Sequence, residues 1–582
     1  MSLLPFGDLP PHRPRRFVPT GLALGNWEAV SPLFDQLDAR ASGCDTVESL
    51  ERWLLDAGEL SSALDEERAR RYIAKTCHTD DAEAEKAYLQ FVEVIDPALK
   101  PRQFSLAERF LNHPLRSRLP KDRYEVFDRA TALQVELYRP ENIPLETEEA
   151  KVGNEYNKLS GSLTVPFRGE EKTLVAMGRY QEEPDRALRE EAWRLVAARR
   201  VREADRFDGF LDELIRLRDR IARNAGFPDY VAYAYRMRGR FDYGPADCLR
   251  FHEAIETEVM PVFRRLQAQR RRKLGVDRLR PWDTQVDPLN RPPLRPFADS
   301  AGMESGVQTV FDRMDPRLAA GFRDMRQKRL LDLDNRKGKA PGGYQYTLSE
   351  ARLPFIFMNS VGLQRDLETI LHEAGHAFHA LACRDEDLPA YREAPIEFCE
   401  VASMAMELLG AEHLDVFYPP GDVVRARTVH LEGVIGVFPW IATVDAFQHW
   451  LYTHPGHSRD ERRAAWLSLM DRFGGDIDWS GCEDARANLW HKQLHIFLYP
   501  FYYVEYGIAQ LGALQVWVNA QRDPAKALAD YQAGLALGGS RPLPELFARA
   551  GCRFDFGRDT VRPLVARVSE ALDRLAALPP AA

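Results

Sequence analysis

The apolar residues of this chain recur at steps of three and four residues over most of its length, with charged residues between them. The stretches SLERWLLDAGELSSALDEERARRYIAKT and DAEAEKAYLQFVEVI show this spacing, and a third such stretch begins at Asp185. This is the pattern of a helix with one buried face, because an α-helix has about 3.6 residues per turn. From Ser360 the pattern continues almost to the end of the chain. The sequence therefore predicts a mostly α protein.

Two segments depart from the helical pattern. Between Leu159 and Tyr180 the chain is richer in Thr and Val and has turn residues in its middle, which predicts a β-hairpin. Leu353 to Met358 reads LPFIFM after a loop rich in Gly, which predicts a short strand. The Pro-rich stretch 280–296 must be a connector. We therefore expect a small β element among the helices.

The length of the chain, 582 residues, predicts at least two lobes. Single hydrophobic cores stop growing at roughly 250–300 residues. We expect residues 1–20, which are rich in Pro and Arg, to form an extended arm. Residues 21–180 are expected to form an N-terminal helical lobe, and residues 181–582 form a larger region that contains the motifs described below.

Charge, hydropathy and cysteine usage exclude several classes of protein. The net charge is −9, so the chain lacks the basic footprint of a nucleic-acid-binding protein. The most apolar stretch, Gly433 to Val444, is shorter than the roughly 18 residues of a membrane span and contains Pro439. The N-terminus lacks the apolar core of a secretory signal. Seven cysteines without a C-x-x-C pair are typical of free thiols in a reducing cytoplasm, so we expect a soluble cytoplasmic protein.

The stretch DLETILHEAGHAFHALAC has helical spacing and contains the pattern H-E-x-x-H. His372 and His376 lie one turn apart on the same face of this helix, and two imidazoles in this position can hold one Zn²⁺. Glu373 is adjacent and can reach a water held by the metal, which makes it the expected general base. Asp366 is expected to cap the helix. The alternative is an ordinary helix with exposed or core histidines.

A catalytic zinc needs a third protein ligand, and the next predicted helix, within EAPIEFCEVASMAMELLG, offers several carboxylates. Glu397, Glu400 and Glu407 lie on this helix, and Glu393 lies just before it. Glu400 and Glu407 share a face because they are seven residues apart. Spacing alone does not choose among the four, and each can also be an ordinary helix carboxylate.

Hydrogen-bond donors are concentrated further along, between Trp490 and Trp517. A His imidazole and Tyr hydroxyls are groups that can stabilise an oxyanion during acyl transfer. The alternative is an aromatic core helix. The donors are His495, Tyr499, Tyr502, Tyr503 and Tyr506.

Three motifs occur in order within residues 337–517: HEAGHAFH, then EVASMAME, then H-x-x-x-Y-P-F-Y-Y-x-E-Y. Together they resemble the thimet oligopeptidase and oligoendopeptidase F family of zinc metallopeptidases, with the bacterial oligoendopeptidase branch the most similar. The segments GKAPGGY and LPFIFMN also resemble the stretch before the zinc helix in that family. The N-terminal third shares only a general helical similarity.

The resemblance implies a zinc site and a base. In this family the third ligand is the first Glu of E-x-x-S-x-x-x-E, which is Glu400 here. One zinc per chain, held by His372, His376 and Glu400, is therefore expected, with Glu373 as the base that activates the zinc-bound water. Glu393 precedes an Ala-Pro that follows the ligand in some members, and it is the residue most easily mistaken for the ligand.

The resemblance also implies the fold and the remaining site residues. Two helical lobes are expected to flank a deep cleft that admits short peptides, whose internal bonds are hydrolysed. The strand Leu353–Asn359 is expected to pair with the extended peptide. His495 and Tyr506 are the expected catalytic partners of Glu373. The expected substrate-binding residues are Tyr499, Tyr503 and His379. His379 is expected to support the metal ligands from behind them. The spacing from His495 to Tyr506 is one residue shorter than in the mammalian members, which leaves the role of Tyr503 less defined than that of Tyr506.

Two rival functions stay open at this stage. One is a zinc hydrolase of the same fold that acts on a specialised or modified peptide. The other is a peptide-binding protein without catalysis, although such a protein would not need Glu373. The sequence does not indicate the oligomeric state or the cleavage preference.

Overall fold

The computed structural model describes residues 4–578 of the chain. Its α-helices are α1 Trp27–Ala41, α2 Val47–Cys77, α3 Ala82–Gln90, α4 Asp96–Leu111, α5 Lys121–Leu137, α6 Ile143–Ser162, α7 Arg186–Val201, α8 Ala204–Asn224, α9 Tyr230–Met237, α10 Pro245–Ala254, α11 Met260–Leu274, α12 Ser300–Met314, α13 Pro316–Gln327, α14 Gln364–Ala382, α15 Ile396–Gly410, α16 Pro420–Thr453, α17 Arg459–Phe473, α18 Glu483–Ala487, α19 Leu494–Leu498, α20 Tyr503–Arg522, α21 Pro524–Leu535, α22 Leu543–Arg549 and α23 Arg558–Ala577. The mostly α fold class is confirmed.

Two small sheets interrupt the helices. The strands are β1 Thr164–Phe167, β2 Glu170–Thr173, β3 Leu331–Asp334, β4 Tyr344–Leu348 and β5 Leu353–Ser360. Strands β1 and β2 form the predicted hairpin. Its two turn residues, Arg168 and Gly169, have φ of 54° and 80°, and a two-residue turn with positive φ at both positions matches the twist of the flanking strands.

The second sheet has the strand order β3-β5-β4. Strand β5 pairs in parallel with β3 and antiparallel with β4, so both of its edges are occupied. The expectation that Leu353–Asn359 pairs with a peptide is therefore wrong. The physical reason is that β5 is the central strand and is buried on both faces, whereas β3 and β4 are the two edge strands.

The apolar side chains form two cores. The first contains Leu50, Leu64 and Phe110, together with Leu388 and Tyr391 from the loop after α14. The second is larger and contains side chains of the three-stranded sheet, of the hairpin and of most of the later helices. Apart from Leu388 and Tyr391, the clustered apolar side chains from Tyr156 onward belong to this second core, together with Phe6 and the C-terminal end of α2. The proposed boundary at residue 180 stays a prediction.

The N-terminal segment lies against the sheet. Residues 1–3 of the expected arm lie outside the described residues, and no helix or strand forms between residues 4 and 26 of the described chain. Phe6 is buried against Phe355 with ring centroids 5.5 Å apart, and the His12 amide donates to the Glu350 carbonyl at 2.7 Å. This extended segment is therefore anchored by both apolar and polar contacts.

Helix α16 is long and apolar enough, by length and composition, to cross a membrane. Its most apolar window has a mean hydropathy of 1.2 and is 56% buried within the fold. Ile435, Phe438 and Val444 belong to the second core, and Pro439 lies inside the helix. Within this structure α16 is a core helix.

Candidate metal centre

Helix α14 carries the H-E-x-x-H pattern on its buried side. The helix begins at Gln364, after Leu363 as the cap residue, so the expectation that Asp366 is itself the cap is wrong. Asp366 instead lies in the first turn, where its carboxylate accepts the amides of Val361 at 2.7 Å and Leu363 at 2.9 Å. These bonds satisfy backbone donors that a helix start leaves free.

Helix α15 approaches α14 closely because residue 375 is a glycine. A Cβ at Gly375 would lie 2.5 Å from the Ala402 carbonyl oxygen and 2.6 Å from the Ser403 Cα. These distances are shorter than Cβ contacts allow, so only Gly permits this spacing of the two helices. The close approach places Glu400 of α15 opposite the two histidines.

His372, His376 and Glu400 converge at one point. The Glu400 Oε2 atom lies 3.4 Å from His372 Nε2 and 3.7 Å from His376 Nε2. One ligand atom from each residue lies within 4.8 Å of the other two. Two imidazoles and one carboxylate are a donor set of catalytic zinc sites, which also keep an open position. The chemistry and the arrangement of these donors fit a single zinc ion.

Glu407 fixes the orientation of the first histidine. Its Oε1 lies 2.6 Å from His372 Nδ1, and its Oε2 lies 3.4 Å from His430 Nε2. Burial opposes a charge on His372, but the bond to Glu407 outweighs it and raises the pKa of His372 to about 9. Burial likewise opposes a charge on Glu407, yet the two imidazoles lower the pKa of its carboxyl to about 2. Nδ1 is thus engaged, and Nε2 is left to face the metal position.

The other glutamates on and before α15 are placed elsewhere. Glu393 is exposed, and Glu397 accepts a hydrogen bond from the Tyr243 hydroxyl at 2.6 Å. Glu400, in contrast, is buried and accepts a bond from the Ser403 hydroxyl at 3.0 Å. Burial raises the pKa of Glu400 because the charged carboxylate is less stable away from water. A cation in front of this carboxylate would offset the cost of burying its charge.

Glu373 lies next to the three converging residues and is 8% exposed. Burial raises its pKa to about 7, with His372 acting in the opposite direction. The amide of Gln345, on the edge strand β4, also faces this carboxylate. A carboxylate with a pKa near neutrality is suited to taking and returning a proton.

The aromatic segment contributes donors from two helices. His495 lies on α19, and Tyr503 and Tyr506 lie on the first turn of α20, with ring centroids 4.8 Å and 6.0 Å from that of His495. Burial raises the pKa of Tyr506 to about 12, and the nearby Glu400 adds to the effect. Tyr506 is therefore protonated at neutral pH and is a donor near Glu400.

The remaining predicted site residues differ in exposure. Tyr499 is 52% exposed, so its ring is accessible to solvent. His379 is 5% exposed and packs against Phe398, and its Nε2 has no hydrogen-bond partner within residues 4–578. Burial lowers the pKa of His379 to about 4. His379 is therefore a buried side chain near His376, and its predicted contribution to substrate binding stays a prediction.

Sequence reasoning did not assign roles to two residues of the site. His430, from α16, bonds Glu407, and no motif around it indicates this contact. Tyr502 pairs with Tyr506 at a ring-centroid distance of 5.3 Å and also lies near Glu400. Tyr502 lies within the aromatic segment, so the concentration of hydroxyls is the one signal that points to it.

A second group of metal-ligand type within the described chain is Cys248, Asp445 and His449, all buried. Its members already bond to neighbouring side chains. The Tyr235 hydroxyl lies 3.0 Å from Cys248 Sγ and 3.1 Å from His449 Nε2, and Asp445 lies 2.8 Å from His252. We describe this group as a hydrogen-bonded core cluster.

Comparison with known proteins identifies relatives of this chain. The family model described as peptidase family M3 matches residues 179–564, and the model of the peptidase M3 N-terminal domain matches residues 23–138. Oligopeptidase PepF of Bacillus subtilis is 27% identical over 304 residues, which are 50% of this chain and 43% of that protein. An oligoendopeptidase F homolog of Lactococcus lactis is 26% identical over 28% of this chain and 26% of its own length. The alignments thus span less than half of these two curated relatives.

The similarity in structure extends over nearly the whole fold. A solved structure of PZ peptidase A with an inhibitor has a TM-score of 0.87, 27% sequence identity and coverage of 97% of this chain and 99% of the other. The larger family model covers more than half of the sequence and includes the converging residues of α14 and α15. The chain therefore belongs to peptidase family M3.

Proposed function

We propose that this protein is a zinc-dependent endopeptidase that hydrolyses internal bonds of short peptides. The observation that carries the proposal is the convergence of His372, His376 and Glu400, with Glu373 beside them. His372 and His376 would hold the metal through Nε2 and Glu400 through its carboxylate. A bound zinc would supply Lewis-acid chemistry, since it lowers the pKa of water toward about 7 and polarises carbonyl oxygens.

Glu373 is the proposed base. Its carboxylate takes a proton from the attacking water and later delivers that proton to the nitrogen of the leaving amine. The same residue can do both because its pKa is raised to about 7 by burial. No other carboxylate near the metal position is free for this role, because Glu400 is a proposed ligand and Glu407 is bonded to two histidines within the described chain.

Tyr506 and His495 are the proposed donors to the substrate. As the scissile carbonyl becomes tetrahedral its oxygen gains negative charge, and a fixed hydroxyl or imidazole N–H stabilises that charge. The Gln493 side chain lies 2.8 Å from His495 Nδ1, which orients the ring. The Tyr503 hydroxyl is engaged by Trp440 and Gln493, so we assign Tyr503 to the wall of the substrate site.

The free edge of β4 is the proposed docking strand for the peptide. An extended chain added there would form main-chain hydrogen bonds irrespective of sequence, which suits an enzyme that acts on varied peptides. Glu373 would lie beside this added strand, because the Gln345 amide on β4 faces its carboxylate. A location in the cytoplasm and the absence of nucleic-acid and membrane partners remain predictions.

A single experiment tests the proposed function. Zinc content and cleavage of a short internally quenched peptide are measured for the wild type, for chelator-treated protein and for Glu373→Gln. We expect one zinc per chain, loss of cleavage on chelation with recovery on zinc addition, and a rate roughly 10²–10⁴-fold lower for Glu373→Gln with zinc retained. Zinc binding without cleavage by the wild type would favour a peptide-binding protein and contradict the proposal.

A further inference from the structure

A cavity of about 450 Å³ lies apart from the metal centre, between the N-terminal segment, α2 and the loop that follows α14. Its lining contains two more arginines than carboxylates. The arginines are Arg13, Arg15, Arg16, Arg52, Arg352 and Arg392. The carboxylates are Asp56, Glu59, Glu350 and Asp387.

All four lining carboxylates are already engaged. Arg15 binds Glu350 through two bonds of 2.6 and 2.7 Å, and Arg13 pairs with Asp387. Glu59 accepts the backbone amides of residues 16–18. Asp56 is bonded by Arg40 at 2.7 Å, with the lining residue Arg52 further away at 3.7 Å. Counting described residues alone, three lining arginines have no carboxylate within 4.0 Å, namely Arg16, Arg352 and Arg392.

Within this set Arg352 is buried and Arg392 is half-buried. Arg352 is 9% exposed and donates to the Arg384 carbonyl at 2.6 Å. Arg392 donates to the Ser349 carbonyl and the Ser62 hydroxyl, each at 2.7 Å, and its Nε is buried without a partner in the described chain. Burial lowers the pKa of Arg392 to about 10, and repulsion by Arg352 adds to the effect.

The carboxylates Asp385, Glu386 and Asp387 favour the charged form of Arg352 only from beyond 4.0 Å, and each is already paired with another side chain, Glu386 with Arg123 at 3.4 Å. Asp385 is bonded to His12 at 2.8 Å, and Asp387 pairs with Arg13. Two guanidinium groups of like charge therefore border a polar cavity, where a buried charge without a counter-ion is costly. Arg16 is exposed and lies at the rim, so solutes can reach the cavity from solvent.

We propose that this cavity binds a divalent oxyanion, a phosphate group that is either free or part of a phosphomonoester, through Arg352, Arg392 and Arg16. The planar guanidinium presents paired N–H donors that match the oxygens of phosphate. The excess of two positive charges in the lining matches the charge of a phosphate dianion. The volume also leaves room for a small group attached to the phosphate.

The position of the cavity links the anion to the stability of the catalytic region. Arg392 lies in the connection between α14 and α15, the two helices that carry the proposed metal ligands. An anion that bonds Arg352 and Arg392 would hold this connection in place. A ligand that binds the folded state and not the unfolded state raises the melting temperature as its concentration rises.

The test uses the zinc-loaded full chain. Binding of inorganic phosphate and of glycerol 2-phosphate is measured by calorimetry and by thermal unfolding, with sodium chloride at matched ionic strength as the reference. We expect the melting temperature to rise with either phosphate compound more than with chloride. Arg352→Gln and Arg392→Gln should each weaken binding roughly 10- to 100-fold, because each removes a hydrogen bond to a charged group. Peptide cleavage by these variants should persist.

Control variants distinguish binding in this cavity from anion binding elsewhere on the protein. Arg216→Gln removes an exposed arginine that pairs with Glu213 and should leave binding unchanged. If the Arg352 and Arg392 variants do not fold, Arg16→Gln at the exposed rim should still weaken binding. Equal affinity in the wild type and in Arg352→Gln, Arg392→Gln and Arg16→Gln would overturn the proposal. Binding that disappears on chelation would also overturn it, since the phosphate would then occupy the metal centre.

Discussion

Tyr506 is the residue whose proposed role can be tested with the smallest change. Tyr506→Phe removes one hydroxyl and keeps the ring that packs near His495 and Tyr503. If this hydroxyl bonds only the developing oxyanion, kcat should fall roughly 10²–10³-fold, while KM should barely change because the bond is absent in the ground state. Steady-state kinetics with a quenched peptide measures both constants.

The alternative role for Tyr506 is packing alone. In that case Tyr506→Phe would have a lower melting temperature and a near-normal kcat in the folded fraction. Zinc content should equal that of the wild type under either role, so it serves as the control for an intact metal site. A normal kcat would remove Tyr506 from the mechanism and leave His495 as the donor of this chain.

Glu407 gives a prediction about metal affinity rather than rate. Its bond of 2.6 Å to His372 Nδ1 orients the imidazole, and its charge raises the basicity of that proposed ligand. Glu407→Gln should therefore weaken zinc binding roughly tenfold or more. Glu393→Gln, which changes an exposed carboxylate of the same region, is the matched control and should bind zinc normally. Competition with a chromogenic chelator measures both affinities, and an equal loss in the two variants would contradict the assignment.

At the scale of secondary-structure elements, the site depends on the contact between α14 and α15. Gly375→Ala would place a Cβ 2.5 Å from the Ala402 carbonyl oxygen, so the two helices would have to separate. We expect the free energy of unfolding to fall by about 3 kcal/mol or more, which is the upper end of the destabilisation usual for an overpacked core. Zinc binding should also weaken. Chemical denaturation and metal analysis check these two effects.

A second glycine provides the control for this helix contact. Gly433 lies inside α16, and a Cβ there would meet nothing within 4 Å. Gly433→Ala should therefore be neutral or stabilising by about 0.5–1 kcal/mol, because Ala is the better helix former. A mild effect of Gly375→Ala, similar to that of Gly433→Ala, would show that the close approach of the helices is not required.

The same elements explain which features the sequence could predict. The pair His372 and His376 is set by the helical period alone, so local spacing is sufficient to identify it. The choice of Glu400 over Glu397 depends on how α15 packs against α14, and residue spacing does not encode this packing. The family resemblance indicates Glu400, and the structure places Glu400 beside the histidines and Glu397 beside Tyr243. The position of β5 in the sheet could not be predicted because strand order is a tertiary property. The contact of His430 with Glu407 is a tertiary property as well.

At the scale of the whole molecule, α2 joins the two hydrophobic cores. Its residues Leu50 to Leu64 contribute to the first core, and Ile73 and Cys77 near its C-terminal end contribute to the second. The same helix contacts β4, where the Thr76 and Tyr344 hydroxyls are 2.6 Å apart. The docking strand proposed for the peptide is therefore held between α2, which belongs to both cores, and α14, which carries two of the proposed metal ligands.

This arrangement predicts which substrates are cleaved by their length. A peptide added to β4 would have α2 on one side and α14 on the other, since Tyr72 of α2 lies 5.8 Å from the Tyr346 ring and the Gln345 amide faces Glu373. An extended strand, which advances about 3.3 Å per residue, can enter such a space, whereas a folded domain cannot. We expect internal cleavage of peptides of roughly 5–20 residues, the range that the family resemblance implies, and resistance of folded proteins and of casein.

The dependence of the cleavage rate on peptide length is measured by mass spectrometry, with a set of peptides that share one cleavable sequence and differ in flanking length. Glu373→Gln is the control for contaminating peptidases. Rapid cleavage of intact casein would contradict the narrow access, whereas a rate that declines with flanking length would support it.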